Sequence, residues 1–136
     1  LNVDYDLILA EWSHRVDLKK EEINNSFDRG LLKAAIYCNG EALKNAMNMI
    51  YNTSVPMGPS GNPLWKRTGL YKAAMGYGMD YAPHTAVIYN TAPYAQMIEY
   101  GDSTGRQGRP VLSNSVFNNL PQIKTILETY LKEVVK

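Results

Sequence analysis

The chain has 136 residues, 45% of them hydrophobic and 20% charged, a composition typical of one globular domain. A chain this long buries roughly two-thirds of its unfolded surface, so it needs neither disulfide nor metal to fold. The 14 basic and 13 acidic residues leave a net charge of +1, which excludes the basic excess of a dedicated duplex-binding protein. Cys38, the sole cysteine, cannot form an intramolecular bridge, which fits assembly in a reducing compartment. No apolar run approaches the ~20 residues of a membrane span, so no membrane partner is expected. The first twelve residues carry Asp4, Asp6 and Glu11 and no basic residue, the opposite of a signal peptide.

Asp6 to Arg15 reads as a short helical segment through Leu9, Trp12 and Val16. A separate long helix is predicted from Asp17, as N-cap, to about Asn52, a span of roughly 50 Å. Its apolar stripe is Ile23, Phe27, Leu31, Ala35, Cys38, Ala42, Ala46 and Ile50, at steps of three and four. Gly30 and Gly40 each cost that helix about 1 kcal/mol and mark either a bend or a close approach. Ser54 to Pro63, with three prolines and two glycines, ends the helix in a loop.

After Thr68-Gly69 the period changes to two. Tyr71, Ala73, Met75, Tyr77 and Met79 alternate with Lys72, Ala74, Gly76, Gly78 and Asp80, predicting a strand. Thr85 to Asn90 is a second strand, antiparallel to the first across a short connection. Two strands alone are marginal, so one or two more are expected, from the N-terminus or the 53–66 stretch. Pro93 and Gly101 bracket a short helix, and Asp102 to Arg109 is a polar, glycine-rich loop. Leu112, Val116, Leu120, Ile123, Leu127, Tyr130 and Val134 carry a final helical stripe, which Pro121 must kink or split.

The order predicts an α+β domain over residues 1–136: a long N-terminal amphipathic helix and a small antiparallel β-sheet, with the short helix and the C-terminal helix packed on one face of the sheet. Flexible loops are expected at about 53–67 and 101–109.

Residues for catalysis are sparse. His14 and His84 are the only histidines, and neither stands at ligand spacing from Cys38 or a carboxylate pair. His84 is expected to be an exposed turn residue, and Cys38 a small buried hydrophobe. The glycines of Gly76-Tyr-Gly78 suit close packing within a strand better than a phosphate cradle. Ten tyrosines are an unusual share, and Tyr71, Tyr77, Tyr81, Tyr89, Tyr94 and Tyr100 cluster around the sheet and short helix, suited either to half-buried strands or to an interface. Lys66, Arg67, Lys72, Arg106 and Arg109 lie in or beside the two longest loops. Solvation or contacts to a neighbouring subunit rank above DNA as their role.

Four landmarks occur in order: Val55-Pro56, Thr68-Gly69-Leu70-Tyr71, Tyr94-Ala-Gln-Met-Ile-Glu-Tyr-Gly101 and Arg109-Pro-Val-Leu112. Over residues 20 to 136 this order resembles the minor tail-component family of long-tailed phages and prophages. Members of that family act in the neck as tail-completion or head–tail joining proteins. The expanded loop from Met57 to Arg67 and the interrupting Pro121 depart from the family pattern.

The resemblance implies a non-enzymatic structural protein with no cofactor and no metal. It implies a homo-oligomeric ring (hexamer or dodecamer) around a DNA channel, located in the virion and assembled in the host bacterial cytoplasm. The implied neighbours are head-completion or connector proteins on one side and tail-terminator or tail-tube proteins on the other. Trp65, Lys66, Arg67, Tyr94, Glu99, Tyr100, Arg106 and Arg109 are then the candidates for subunit or partner contacts. Lys66, Lys72 and Arg106 are the candidates to face DNA passing through the channel. The alternatives are a tail-terminator ring, a nucleic-acid-binding module stacking bases on Tyr77 and Tyr89, and a small nuclease using Glu99 or His84.

Overall fold

Nothing between Tyr5 and Ala46 breaks a helix outright: no proline occurs there, and good helix formers such as Leu, Lys, Glu and Ala dominate. The computed structural model, which describes residues 5–52, 69–101 and 107–135, accordingly has one helix, α1, over Tyr5–Ala46. The expected division at Asp17 does not occur. Leu9, Trp12 and Val16 continue the three-and-four steps of the later seam in phase, so Asp17 lies mid-helix and caps nothing. A turn of π-helix, Met47–Tyr51, finishes the rod, with the Asn52 N–H donating to the Met47 carbonyl at 2.8 Å.

Leu70–Ala73 is a helical turn, α2, where a strand was expected. Gly69 enters it at φ 78°, and the Ala73 and Ala74 amides donate back to the Gly69 and Leu70 carbonyls at 3.0 and 2.9 Å. Tyr71 is thereby turned into the core, and its carbonyl accepts from the Asn90 amide at 2.7 Å. The strand proper, β1, is Met75–Met79, paired antiparallel with β2, Ala86–Asn90, in the register Met75 to Asn90 through Met79 to Ala86.

Among the described residues the sheet has these two strands only, and the N-terminus, expected to supply another, is helical from Tyr5. The 53–66 stretch, the other expected source, lies outside the described residues. What holds so small a sheet is α1, against which both strands pack.

α3 is Ala95–Tyr100, α4 is Val111–Phe117 and α5 is Leu120–Val135. Pro121 does split the C-terminal stripe, and it sits in the first turn of α5, where its missing N–H costs no helical bond. The break shifts the phase of the preceding helix. Val111 and Ser115 are its fully buried residues rather than Leu112 and Val116, and Leu120 is exposed.

The core gathers on α1, where the stripe of small residues allows close approach. Ala42 and Ala46 are fully buried against Val111, with Ile50, Tyr71 and Ala92 completing the cluster. Full burial of a side chain such as Val111 stabilises the fold by about 2 kcal/mol. The Asn45 amide donates to the Val111 carbonyl at 3.1 Å and fixes α4 along this face. α5 runs antiparallel to α1 along its middle, between Lys19 and Tyr37. Gly30 is where it comes closest: a Cβ there would lie 3.2 Å from Leu127 and 3.4 Å from Tyr130. Gly40, by contrast, has nothing within 4 Å and permits no close approach.

Candidate functional site

The two strongest landmarks of the sequence, Tyr94–Gly101 and Arg109–Leu112, come together in space as one unit, and Glu99 joins them. Its side chain leaves the buried face of α3 and reaches the start of α4. One carboxylate oxygen accepts the Leu112 N–H at 2.8 Å, and the other accepts the Ser113 N–H at 3.1 Å and the Ser113 hydroxyl at 2.7 Å. The first amides of a helix have no partner within the helix, and an anion beside them also meets the positive end of the helix dipole. Glu99 therefore does for α4 what a local N-cap does elsewhere, and Pro110, at the cap position, has no side chain able to do it.

The segment between the two landmarks is pinned at its base. Gly101 turns at φ 83° and pairs with Gln107 in an isolated antiparallel bridge, while the Arg109 N–H donates to the Ile98 carbonyl at 2.6 Å. Gly108 is pressed against the end of α3: a Cβ there would lie 2.7 Å from the Tyr100 carbonyl carbon and 2.8 Å from the Glu99 backbone carbonyl oxygen. The expected flexible loop thus has a tightly built stem at 101 and 107–109. Its tip, residues 102–106, lies outside the described residues.

Of the expected contact residues, Trp65, Lys66, Arg67 and Arg106 also lie outside the described residues. Glu99, placed by the sequence among residues touching a neighbour, is instead only 8% exposed and wholly engaged within the chain. Tyr94 is half-buried against the core, and Arg109 is half-buried at the stem. Tyr100, 75% exposed on the last turn of α3, is available to a partner beside the loop. Lys72 is exposed, with its backbone N–H held by the Tyr51 hydroxyl at 3.0 Å.

The tyrosines divide by environment. Tyr71 is buried, and that burial, followed by the nearby charge of Glu99 and then Tyr51, pushes its phenol well above the ordinary value. Tyr89 lies across the strand over Gly76, where a Cβ would meet its ring at 2.5 Å. Tyr77 pairs with Ile88, so Tyr77 and Tyr89 leave opposite faces of the hairpin and cannot form a single stacking platform.

His84 is exposed in the turn, as expected, and it is also tied to α1. It adopts φ 54° at the hairpin tip, its Nδ1 lies 2.8 Å from an Asp28 oxygen on α1, and its ring meets Phe27 edge-on. No local pattern announces this tie, because Asp28 is distant in sequence. Cys38 is buried as expected, and burial, then Glu41, raises its thiol. Among the described residues no group of three or more His, Cys, Asp or Glu could hold a metal ion, and no helix is long and apolar enough to cross a membrane.

No family model, no curated protein and no solved structure matches the chain.

Proposed function

We propose that this protein is a structural component of a long-tailed phage neck, joining or completing the tail at the head–tail interface as part of a ring around the DNA channel. The observation that carries the reading is the Glu99 junction. It joins the two segments on which the family resemblance chiefly rests into one built stem around Gly101 and Gln107. A stem held by part-buried hydrogen bonds, with exposed Tyr100 at its edge, suits recognition by an adjacent subunit. Ring closure requires a head-to-tail contact between unlike surfaces, and the stem with Tyr100 is the surface proposed for one side of it. A near-neutral chain also suits a passage that DNA must traverse without being retained.

The test is negative-stain microscopy of particles from a phage in which the gene is deleted. DNA-filled heads beside detached tails of normal length support the joining role. Overlong tails point instead to a tail terminator, and intact infectious virions refute a structural role.

A further inference from the structure

Where the first turns of α5 meet α1 there is an open groove of about 390 Å³, lined by Tyr37, Pro121, Gln122, Thr125 and Ile126. Its walls are mostly carbon, and no residue lining it is charged. Gln122 and Thr125 put an amide and a hydroxyl at its rim. Gly40 follows Tyr37 by three residues and so continues the same side of α1. A glycine inside a helix costs about 1 kcal/mol relative to alanine, and a close neighbour commonly accounts for one. Gly30 has that neighbour in α5, whereas Gly40 has nothing within 4 Å. The helix backbone beside the groove is therefore left bare, which gives an incoming side chain room.

The edge of the stem supplies the complement. Met97 and Tyr100, three residues apart, share one face of α3 and are 49% and 75% exposed. They form an apolar ridge that ends in a hydroxyl, and Gln96 beside them is uncharged. In the groove, ring and thioether would displace water from an apolar floor while the phenol hydroxyl meets the polar rim. Neither surface carries an ion, so the contact desolvates none. Position matters as much as chemistry. At about 100° per residue, Tyr37 leaves α1 on the side away from Ala42 and Ala46, where α4 and the stem are packed. One copy can therefore offer its ridge to one neighbour and its groove to another at the same time, as a head-to-tail assembly requires. We infer that the Met97–Tyr100 ridge of one copy of this chain seats in the groove lined by Tyr37, Thr125 and Ile126 of the next. The inference rests on the ring of the proposed function and gives that ring its second surface.

Sedimentation velocity of the full chain over a wide concentration series tests it. The wild type is expected to assemble beyond a dimer, and Tyr100→Asp and Thr125→Glu each to weaken self-association about tenfold or more. Both positions are exposed, circular dichroism verifies that the variants fold, and Gly40→Glu blocks the groove a second way. Mixing the two variants gives the decisive readout. Tyr100→Asp keeps an intact groove and Thr125→Glu an intact ridge, so the mixture forms a one-to-one complex of wild-type affinity and stops there. A wild-type chain that stays monomeric throughout overturns the inference. So does assembly that both variants leave unchanged, a mixture that binds no tighter than either variant alone, or one that grows past the one-to-one complex. The neck reading stands or falls separately, on the particles made when the gene is deleted.

Discussion

Replacing Glu99 by alanine leaves the Leu112 and Ser113 amides and the Ser113 hydroxyl without their acceptor in a single step. Loss of a helix cap costs about 1 kcal/mol, and a buried donor left unpaired costs about 1–3 kcal/mol. Because Leu112 and Ser113 are half-buried, water relieves part of this, and the expected loss is about 3 kcal/mol. For a chain of this length that lowers Tm by roughly 12 °C. Glu99→Gln keeps one acceptor but loses the charge, and its amide nitrogen opposes one of the donors, so about half that loss is expected.

Chemical denaturation followed by circular dichroism measures both variants, with Tyr100→Ala, a truncation on the exposed side of the same helix, as the control. Hydrogen exchange adds a local readout: the Leu112 and Ser113 amides lose protection in Glu99→Ala before the α1 amides do. A Glu99→Ala destabilisation no larger than that of Tyr100→Ala would falsify the assignment of Glu99 as the cap of α4.

The two glycines Gly108 and Gly40 respond to alanine with opposite signs. At Gly108 the new methyl meets backbone atoms at 2.7 and 2.8 Å that cannot rotate away, so a loss of about 2–3 kcal/mol in chemical denaturation is expected. At Gly40 it meets nothing within 4 Å inside a helix, so a gain of about 0.5–1 kcal/mol is expected. Tyr71 gives the fold an alkaline limit. Its phenol is raised in the folded state, so the stability it contributes is complete below the unfolded value near pH 10 and is lost as pH rises above it. Between about pH 10 and 11 wild-type Tm is expected to fall by roughly 3 °C more than that of Tyr71→Phe, and parallel profiles for the two proteins would contradict the assignment.

These effects bear on the neck proposal through the stem. Gly108→Ala and Glu99→Ala both act on the stem, and Glu99→Ala also loosens the start of α4, whose Val111 packs on Ala42 and Ala46. In a phage carrying Tyr100→Ala, which leaves the buried stem contacts in place, a defect in joining would trace to the exposed surface rather than to loss of the domain.

The sequence by itself determined the elements whose signal is local. The small-residue stripe through Ala35, Cys38, Ala42 and Ala46 repeats at the helical period and is buried, whereas Ile23, Phe27 and Leu31 of the same stripe are half-buried, and Ser26 and Ala34 beside it are buried as well. The antiparallel hairpin follows from β-forming residues on either side of a short connection, and Pro121 announces a break because its ring cannot occupy a helix interior. Tertiary structure decided what depends on partners distant along the chain. Alternation from Tyr71 to Met75 reads as strand, yet the Asn90 side chain takes the Tyr71 carbonyl and Gly69 turns the chain into a helical turn first.

Glu99 stood among the contact candidates because the family resemblance implied it. Its burial depends on α4 presenting bare amides opposite it, which no periodicity in either segment encodes. The tie from His84 to Asp28 is equally silent in the sequence. Helix and strand periods are set by neighbours a few residues away and are therefore legible in order. Which polar group finds which partner is set by packing in three dimensions, and the stem at Glu99 exists only once α3 and α4 have met.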